Sequence, residues 1–222
     1  MKLFQKILLS FLLLFVISSC EKENKIEEPQ IFKRDYASQY ADDISKIEDF
    51  LKTHAVTVVD HAGFPDDQNA TFTSVPNLDA TSMWGSNAIT PKSSLLFKLS
   101  NIGGVSHKIY YIKFRNGIGV SPTINNQIKA YYKGFLLTDD TIPFDFSPET
   151  GATFYLNQLI FGWREIFPEF KMGTIKGTDQ YADFGSGVMF LPSALGYYEK
   201  SYTNKIPAYS PLIFAVKLFS VI

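Results

Sequence analysis

The sequence has few of the residues that build conventional metal and thiol sites. Of its 222 residues, one is a cysteine and three are histidines. A single cysteine cannot form an intramolecular disulfide or a thiolate zinc site. His54, His61 and His107 all lie in the first half of the chain, without the spacing of a metal motif. We therefore expect solvent-exposed histidines and no bound metal.

An excess of charge of one sign is also lacking, as are nucleotide and nucleophile motifs. The 21 basic and 22 acidic side chains leave a formal net charge of -1, which gives no long-range field for a polyanion, so we expect no nucleic-acid partner. The glycine pairs at 117/119 and 185/187 lack the context of a phosphate loop, and no G-x-S-x-G elbow occurs. An enzyme built on this chain would work without a metal, a nucleotide or a nucleophile, and we expect no cofactor.

The N-terminus has the features of a targeting segment. Lys2 and Lys6 precede an apolar run at residues 7–17. A helix needs about 20 apolar residues to span a bilayer, so this run is too short and is typical of a secretory signal peptide. The following Ile17-Ser18-Ser19-Cys20 resembles the lipobox of bacterial lipoproteins, in which cleavage makes a lipidated cysteine the first residue. The alternative is a plain signal peptide with a chance cysteine.

These features predict a signal peptide over residues 1–19 and a lipidated Cys20 at the start of a charged, solvated tether over residues 20–35. A diacylglyceryl group and an amide-linked acyl chain on that cysteine would anchor the protein stably in a membrane. The expected location is the bacterial cell envelope, at the outer membrane, on its periplasmic face or at the cell surface.

Residues 36–107 are expected to form an N-terminal extension. Apolar residues three and four positions apart predict an amphipathic helix over about residues 37–53. This helix has two interpretations, a dimer arm or a helix packed on its own domain, and its length of four to five turns favours the second. Residues 55–59 are rich in β-branched side chains and predict a strand. Turn-forming residues dominate residues 60–94, to which we assign no chemistry.

The second half of the chain has the pattern of an antiparallel sheet with one short helix. Residues 108–114, 127–132 and 211–221 predict strands. Trp163, Ile166, Phe167 and Phe170 share one face of a short helix. The predicted fold class is therefore α+β, with the helix packed against the sheet.

Residues 108–222 resemble the FKBP-type peptidyl-prolyl isomerases, which also bind macrolides, through motifs that occur in the family's order. These motifs are Ala130-Tyr131-Tyr132-Lys133-Gly134, Pro143-Phe144-Asp145-Phe146-Ser147, Phe154-Tyr155-Leu156, Leu159-Ile160-Phe161-Gly162-Trp163, Lys171-Met172-Gly173, Leu191-Pro192-Ser193-Ala194-Leu195-Gly196-Tyr197, and Ile206-Pro207 with 212–218. The resemblance implies an FKBP-like antiparallel sheet wrapped around the short helix, with an aromatic pocket between them.

The resemblance also implies the residues of that pocket. The catalytic positions it implies are Asp145, Tyr197, Tyr132, Trp163 and Phe214, and the substrate-binding positions are Phe144, Leu159, Ile160 and Ile206. Proline-containing polypeptides are the implied partners, and a macrolide stays open as a further ligand. Because a twisted amide is less polar than a planar one, a dry aromatic pocket would favour the twisted state. The implied function is cis-trans isomerisation of Xaa-Pro bonds that assists the folding of extracytoplasmic proteins.

Three departures from the family's pattern leave a second function open. Ala152 stands where the family usually has an aromatic residue, residues 174–190 are longer than the usual strand, and Tyr198 replaces a glycine. Such changes would narrow substrate choice or reduce the domain to a binder. The alternative function is thus a non-catalytic FKBP-like binding or assembly module of a cell-envelope complex.

Overall fold

A computed structural model describes residues 33–85 and 95–222. The predicted signal peptide and Cys20 lie outside the described residues, as does most of the predicted tether. Residues Lys33–Ile222 form one compact unit. No described helix is both long enough and apolar enough to cross a membrane.

Helix α1 (Tyr36–Thr53) confirms the predicted helix and begins one residue earlier. Asp35 caps its N-terminus, because the Asp35 Oδ1 atom accepts a hydrogen bond from the Ser38 N–H at 2.9 Å. The last residues of the predicted tether therefore already belong to the folded unit. The helix packs on its own domain, as the second interpretation expects, with Ile47 and Leu51 fully buried.

The strands form one large antiparallel sheet and two hairpins. Their bounds are β1 His54–Val58, β2 Ala70–Ser74, β3 Leu96–Ile102, β4 Val105–Arg115, β5 Gln127–Leu136, β6 Asp145–Phe146, β7 Ala152–Tyr155, β8 Thr174–Gly177, β9 Gln180–Ala182, β10 Gly185–Leu191 and β11 Leu212–Val221. The large sheet has the order β3-β4-β10-β11-β5-β6, with β7 also paired to β5, while β1–β2 and β8–β9 are separate hairpins. The predicted division at residue 108 falls inside β4, which pairs with β3 of the same sheet.

Both faces of this sheet are covered, and this explains the uninterrupted apolar runs in its central strands. On one face, Met189 and Leu191 of β10 pack with Trp163 and Ile166. On the other face, the alternate residue Phe190 packs with residues of α1. The N-terminal extension thus serves as the second cover of the sheet.

The predicted short helix is α2 (Phe161–Ile166), which continues as a 3-10 turn over Phe167–Glu169. Pro168 explains the change, because proline has no N–H to continue the α-helical hydrogen bonds. Phe170 lies beyond both elements, although its side chain is fully buried in the same cluster.

Two local features bear on the predictions from the sequence: the burial of His107 and the hairpin within residues 174–190. His107 is fully buried rather than solvated, and its Nδ1 atom lies 2.9 Å from the Val105 carbonyl oxygen. The predicted extra length of residues 174–190 is the β8–β9 hairpin, which precedes β10. The stacked rings of Tyr181 and Phe219, 4.7 Å apart, attach this hairpin to the sheet.

Candidate functional site

A cavity of about 100 Å³ opens between the large sheet and α2. Its lining is mainly aromatic and comes from six parts of the chain. The lining residues are Tyr132, Phe144, Asp145, Phe154, Leu159, Ile160, Trp163, Tyr197 and Phe214. Such a small, mostly apolar cavity with a few polar atoms is suited to one ring-sized group.

Trp163 is a deeply buried aromatic residue of the cavity, with 4% of its surface exposed. Its ring makes edge-to-face contacts with Tyr132 at 5.0 Å and with Phe214 at 5.2 Å. Edge-to-face geometry suits the charge distribution of aromatic rings and fixes their orientation. Gly162 allows α2 to lie close to β10, because a Cβ at residue 162 would lie 2.5 Å from the Leu191 side chain. The cavity therefore has a rigid aromatic floor.

The walls formed by Phe144 and Phe214 depend on a glycine of β5. Their rings are perpendicular, with centroids 5.7 Å apart. A Cβ on Gly134 would lie 2.6 Å from Phe144 and 2.7 Å from Phe214. The Lys205 Nζ atom also donates to the Phe144 carbonyl oxygen at 3.1 Å. The absence of a side chain at residue 134 thus allows both rings to reach the cavity.

Asp145 and Tyr132 place a hydrogen-bonded polar pair at the cavity. The Tyr132 hydroxyl donates to the Asp145 Oδ2 atom at 2.7 Å. The Phe146 N–H donates to the Asp145 Oδ1 atom at 2.9 Å. Burial, together with the neighbouring carboxylate, raises the pKa of Tyr132 above its ordinary value. The tyrosine therefore keeps its proton and holds one carboxylate oxygen of an otherwise exposed Asp145 in place.

Tyr197 supplies the second hydroxyl of the cavity. It is half-buried and belongs to a segment that we call the pocket loop (residues 193–209). Its ring stacks on the ring of Tyr202, with centroids 4.5 Å apart. Burial, with smaller contributions from Tyr202 and Asp145, raises the pKa of Tyr197 to about 12. This hydroxyl is therefore a proton donor throughout the physiological pH range.

The structure brings together all but one of the nine predicted pocket residues. Ile206 does not line the cavity and instead belongs to the buried core cluster beside it, with 2% exposure. Phe154, which was not among the predicted site residues, does line the cavity, 5.8 Å from Trp163. The phenylalanine of the Phe154-Tyr155-Leu156 motif was the signal that could have identified it. The second aromatic residue that the family usually has two positions earlier is Ala152 here, so Phe154 is the aromatic residue that β7 contributes to the cavity lining.

Residues 119–219 match the family model described as FKBP-type peptidyl-prolyl cis-trans isomerase. Peptidyl-prolyl cis-trans isomerase Mip of Coxiella burnetii is 28% identical over 117 residues, which cover 53% of this chain and 46% of that protein. FKBP-type peptidyl-prolyl cis-trans isomerase FkpA of Aeromonas hydrophila is 32% identical over 126 residues, with 56% of this chain and 42% of that protein covered. The chain thus spans less than half the length of these two curated relatives.

The crystal structure of FkpA from Escherichia coli has a TM-score of 0.43 and 26% sequence identity, over 55% of this chain and 51% of that chain. Every residue that lines the cavity, from Tyr132 to Phe214, lies inside the range matched by the family model. Residues 119–219 of the chain, which contain the whole lining of the cavity, are thus similar to the FKBP-type peptidyl-prolyl cis-trans isomerase family.

Proposed function

We propose that this protein catalyses cis-trans isomerisation of Xaa-Pro bonds in polypeptides and so assists their folding. The observation that carries the proposal is the aromatic cavity on the Trp163 floor, with the Tyr132–Asp145 pair and the Tyr197 hydroxyl at its edge. The cavity combines an apolar surface for a proline ring with polar groups for the adjacent peptide units.

The physical demand of this reaction is modest. Rotation about a peptide bond meets a barrier of about 18–20 kcal/mol. Uncatalysed Xaa-Pro isomerisation takes tens to hundreds of seconds, slow enough to limit folding. A thousandfold acceleration requires about 4 kcal/mol of transition-state stabilisation. Because the twisted amide has lost its resonance and is less polar, transfer from water to an apolar cavity favours it over the planar ground state.

Some residues of the cavity bind the proline ring, and others orient the peptide bond that rotates. Trp163 lies beneath the proline ring, and Phe144, Leu159, Ile160 and Phe214 form the walls. The Tyr197 hydroxyl donates to a substrate carbonyl and holds one side of the bond while the other side rotates. Asp145 presents a fixed negative charge to the carbonyl carbon that rotates, and Tyr132 keeps that carboxylate in place.

Refolding of a denatured protein whose slow phase is limited by proline isomerisation tests this proposal. Catalytic amounts of the full chain should accelerate the slow phase and leave the fast phases unchanged. Tyr197→Phe should reduce kcat/KM about fivefold, since one hydrogen bond contributes about 1 kcal/mol. The matched control is Tyr155→Phe, which removes an exposed hydroxyl from the neighbour of Phe154 on β7 and should change nothing.

Two outcomes would contradict the proposal. If the chain binds the refolding protein but does not accelerate its slow phase, the alternative function, an FKBP-like binding or assembly module, would be favoured instead. Equal effects of the two tyrosine variants would remove Tyr197 from the site.

A macrolide that fills the cavity should compete with proline peptides, which a displacement titration of the Trp163 fluorescence measures.

We further propose that the protein acts in the bacterial cell envelope. In this proposal, residues 1–19 are removed, Cys20 carries the lipid, residues 20–35 form the tether, and residues 36–107 form an extension before the isomerase domain at 108–222. Incorporation of labelled palmitate tests the anchor. The wild-type chain should be labelled and found with outer membranes, whereas Cys20→Ser should be unlabelled; label retained in Cys20→Ser would contradict the assignment.

A further inference from the structure

Helix α1 contacts the pocket loop through a fully buried carboxylate. The Asp43 Oδ2 atom accepts hydrogen bonds from the Ser193 N–H at 2.7 Å and from the Ser193 hydroxyl at 2.6 Å. The other oxygen, Oδ1, accepts from the Gln39 side-chain amide at 2.7 Å. Asp43 has no exposed surface. Both of its oxygens are therefore occupied, and one of them fixes the first residue of the pocket loop.

A second contact fixes the same loop immediately after Tyr197. The rings of Tyr36 and Tyr198 are stacked, with centroids 4.6 Å apart. The Tyr198 hydroxyl donates to the carbonyl oxygen of Arg34. Tyr198 adopts a φ of +51°, in the left-handed region that favours glycine. This departure from the family's glycine thus places a ring where the start of α1 can hold it.

The two contacts lie on either side of Tyr197. Ser193 precedes it by four residues, Tyr198 follows it directly, and the Tyr198 N–H donates to the Ser193 carbonyl oxygen at 2.9 Å to close the turn. The backbone of Tyr197 is therefore fixed at both ends by groups bound to α1. Tyr197 itself lines the cavity, and its ring also stacks on Tyr202 of the same loop.

Anchoring of α1 on the sheet does not require a carboxylate at residue 43. Ile47, one turn later on the same helix face, is fully buried among apolar side chains. Burial of a carboxylate carries a desolvation penalty that only a full set of hydrogen bonds offsets. An apolar residue of similar size would hold the helix on the sheet without that penalty. What Asp43 provides is geometry, because two hydrogen bonds to one residue define a single position for the loop.

We propose that Asp43 is a positioning residue of the isomerase site, through which α1 holds the pocket loop so that the Tyr197 hydroxyl faces the cavity. This inference rests on the proposed function but assigns to the N-terminal helix a role in it. It predicts that a change on α1, outside the matched domain, alters the site in the same way as a change of Tyr197 itself.

A double-mutant cycle in the full chain tests this coupling. Asp43→Asn keeps a single acceptor oxygen, so its side chain cannot accept from both Gln39 and Ser193 as the two oxygens of Asp43 do. It should reduce kcat/KM for an Xaa-Pro peptide about fivefold, as expected for Tyr197→Phe, and the double variant should lose no more than either single variant. The matched control is Ile47→Val on the same helix face, whose small effect should add to that of Tyr197→Phe. Full additivity of Asp43→Asn with Tyr197→Phe would overturn the inference.

An NMR measurement separates this inference from the proposed function. In Asp43→Asn, the backbone amide signals of Tyr197 and Tyr202 should shift or broaden, whereas Ile47→Val should leave them unchanged. This result supports the positioning role even if the wild-type chain proves inactive as an isomerase. Unchanged signals in Asp43→Asn would overturn it. If Asp43→Asn does not fold, Ser193→Ala, which removes only the hydroxyl donor, should give a smaller shift in the same signals, and no shift would count against the inference.

Discussion

At the scale of single residues, the lining of the cavity contains one carboxylate, Asp145, whose environment is well defined. Asp145 is exposed to solvent, yet both of its oxygens are held, one by the Tyr132 hydroxyl and one by the Phe146 N–H. A carboxylate fixed in this way keeps its orientation without being desolvated. Its charge is therefore directed at the cavity and need not be reorganised during the reaction.

The charge of Asp145 can be tested separately from its shape. Asp145→Asn keeps an acceptor oxygen for Tyr132 but loses the negative charge. We expect kcat/KM to fall about tenfold, equivalent to about 1.4 kcal/mol of transition-state stabilisation, with the free energy of unfolding nearly unchanged. A peptide isomerisation assay and a denaturant titration measure the two quantities. Full activity in Asp145→Asn would show that the hydrogen bond, and not the charge, is what matters.

Gly134 provides a test of the cavity's shape. Gly134→Ala places a Cβ within 3 Å of the Phe144 and Phe214 rings, so both must move. Overpacking of this kind costs about 1–3 kcal/mol of stability, and we expect it to abolish peptide binding. Gly177→Ala is the control, because its closest neighbour is a flexible glutamine 3.3 Å away. Binding by Gly134→Ala at the wild-type level would contradict the assigned walls.

His107 makes stability depend on pH. Burial lowers its pKa below 6.5, so the unfolded chain binds this proton more readily than the folded chain. The free energy of unfolding should therefore decrease as pH falls below about 6.5. Burial raises the pKa of Asp43, so the folded chain binds this proton more readily than the unfolded chain. Protonation of Asp43 in more acid solution therefore increases the free energy of unfolding. Denaturant titrations from about pH 7 to about pH 5 should show a smaller decrease in His107→Phe than in the wild type. Parallel curves would exclude His107 as the cause.

The sequence predicted most of the residues that line the cavity, because the motifs of the family that it resembles have particular residue types at particular positions. It assigned Ile206 to the cavity and left out Phe154, because a motif identifies an element but not which side of it faces the ligand. It also expected solvated histidines, whereas His107 packs 4.7 Å from the Tyr40 ring of α1. That contact depends on how two distant segments meet, and no local pattern contains this information.

At the scale of elements, periodicity was informative where an element has one buried face. Helix α1 was predicted to within one residue at its start, because its apolar positions follow one stripe. Strand β2, Ala70–Ser74, was not predicted. It is short and surrounded by turn-forming residues, and its only partner in the described structure is β1. Such a strand depends on pairing rather than on its own propensity.

The β8–β9 hairpin is an element whose removal should spare the site. Its Tyr181 packs with Phe219 and Tyr131, whereas the adjacent Leu218 and Tyr132 belong to the cavity side of the sheet. Replacing residues 175–181 with a short glycine-serine turn should cost about 1 kcal/mol of stability from the lost ring stack and leave kcat/KM within about twofold. A larger loss of activity at full folding would show that the hairpin contributes to substrate binding.

At the scale of the whole molecule, a sheet covered on both faces connects the N-terminal extension to the cavity. Alternate residues of β10 pack toward α1 and toward α2. The extension also reaches the cavity's own loop through Asp43 and Tyr36. The sequence predicted that α1 packs on its own domain, but not that it contacts the pocket loop, since that contact joins residues 150 positions apart.

The central claim is that the aromatic cavity accelerates rotation about Xaa-Pro bonds, and NMR exchange spectroscopy on short peptides with the full chain tests it most directly. With a catalytic amount of chain, exchange cross-peaks between cis and trans proline signals should appear within a mixing time of about one second, although the uncatalysed exchange takes tens to hundreds of seconds. The cross-peaks should weaken in Tyr197→Phe and persist in Tyr155→Phe. Peptide signals that shift on binding but show no exchange cross-peak, for every residue tested before proline, would contradict the claim.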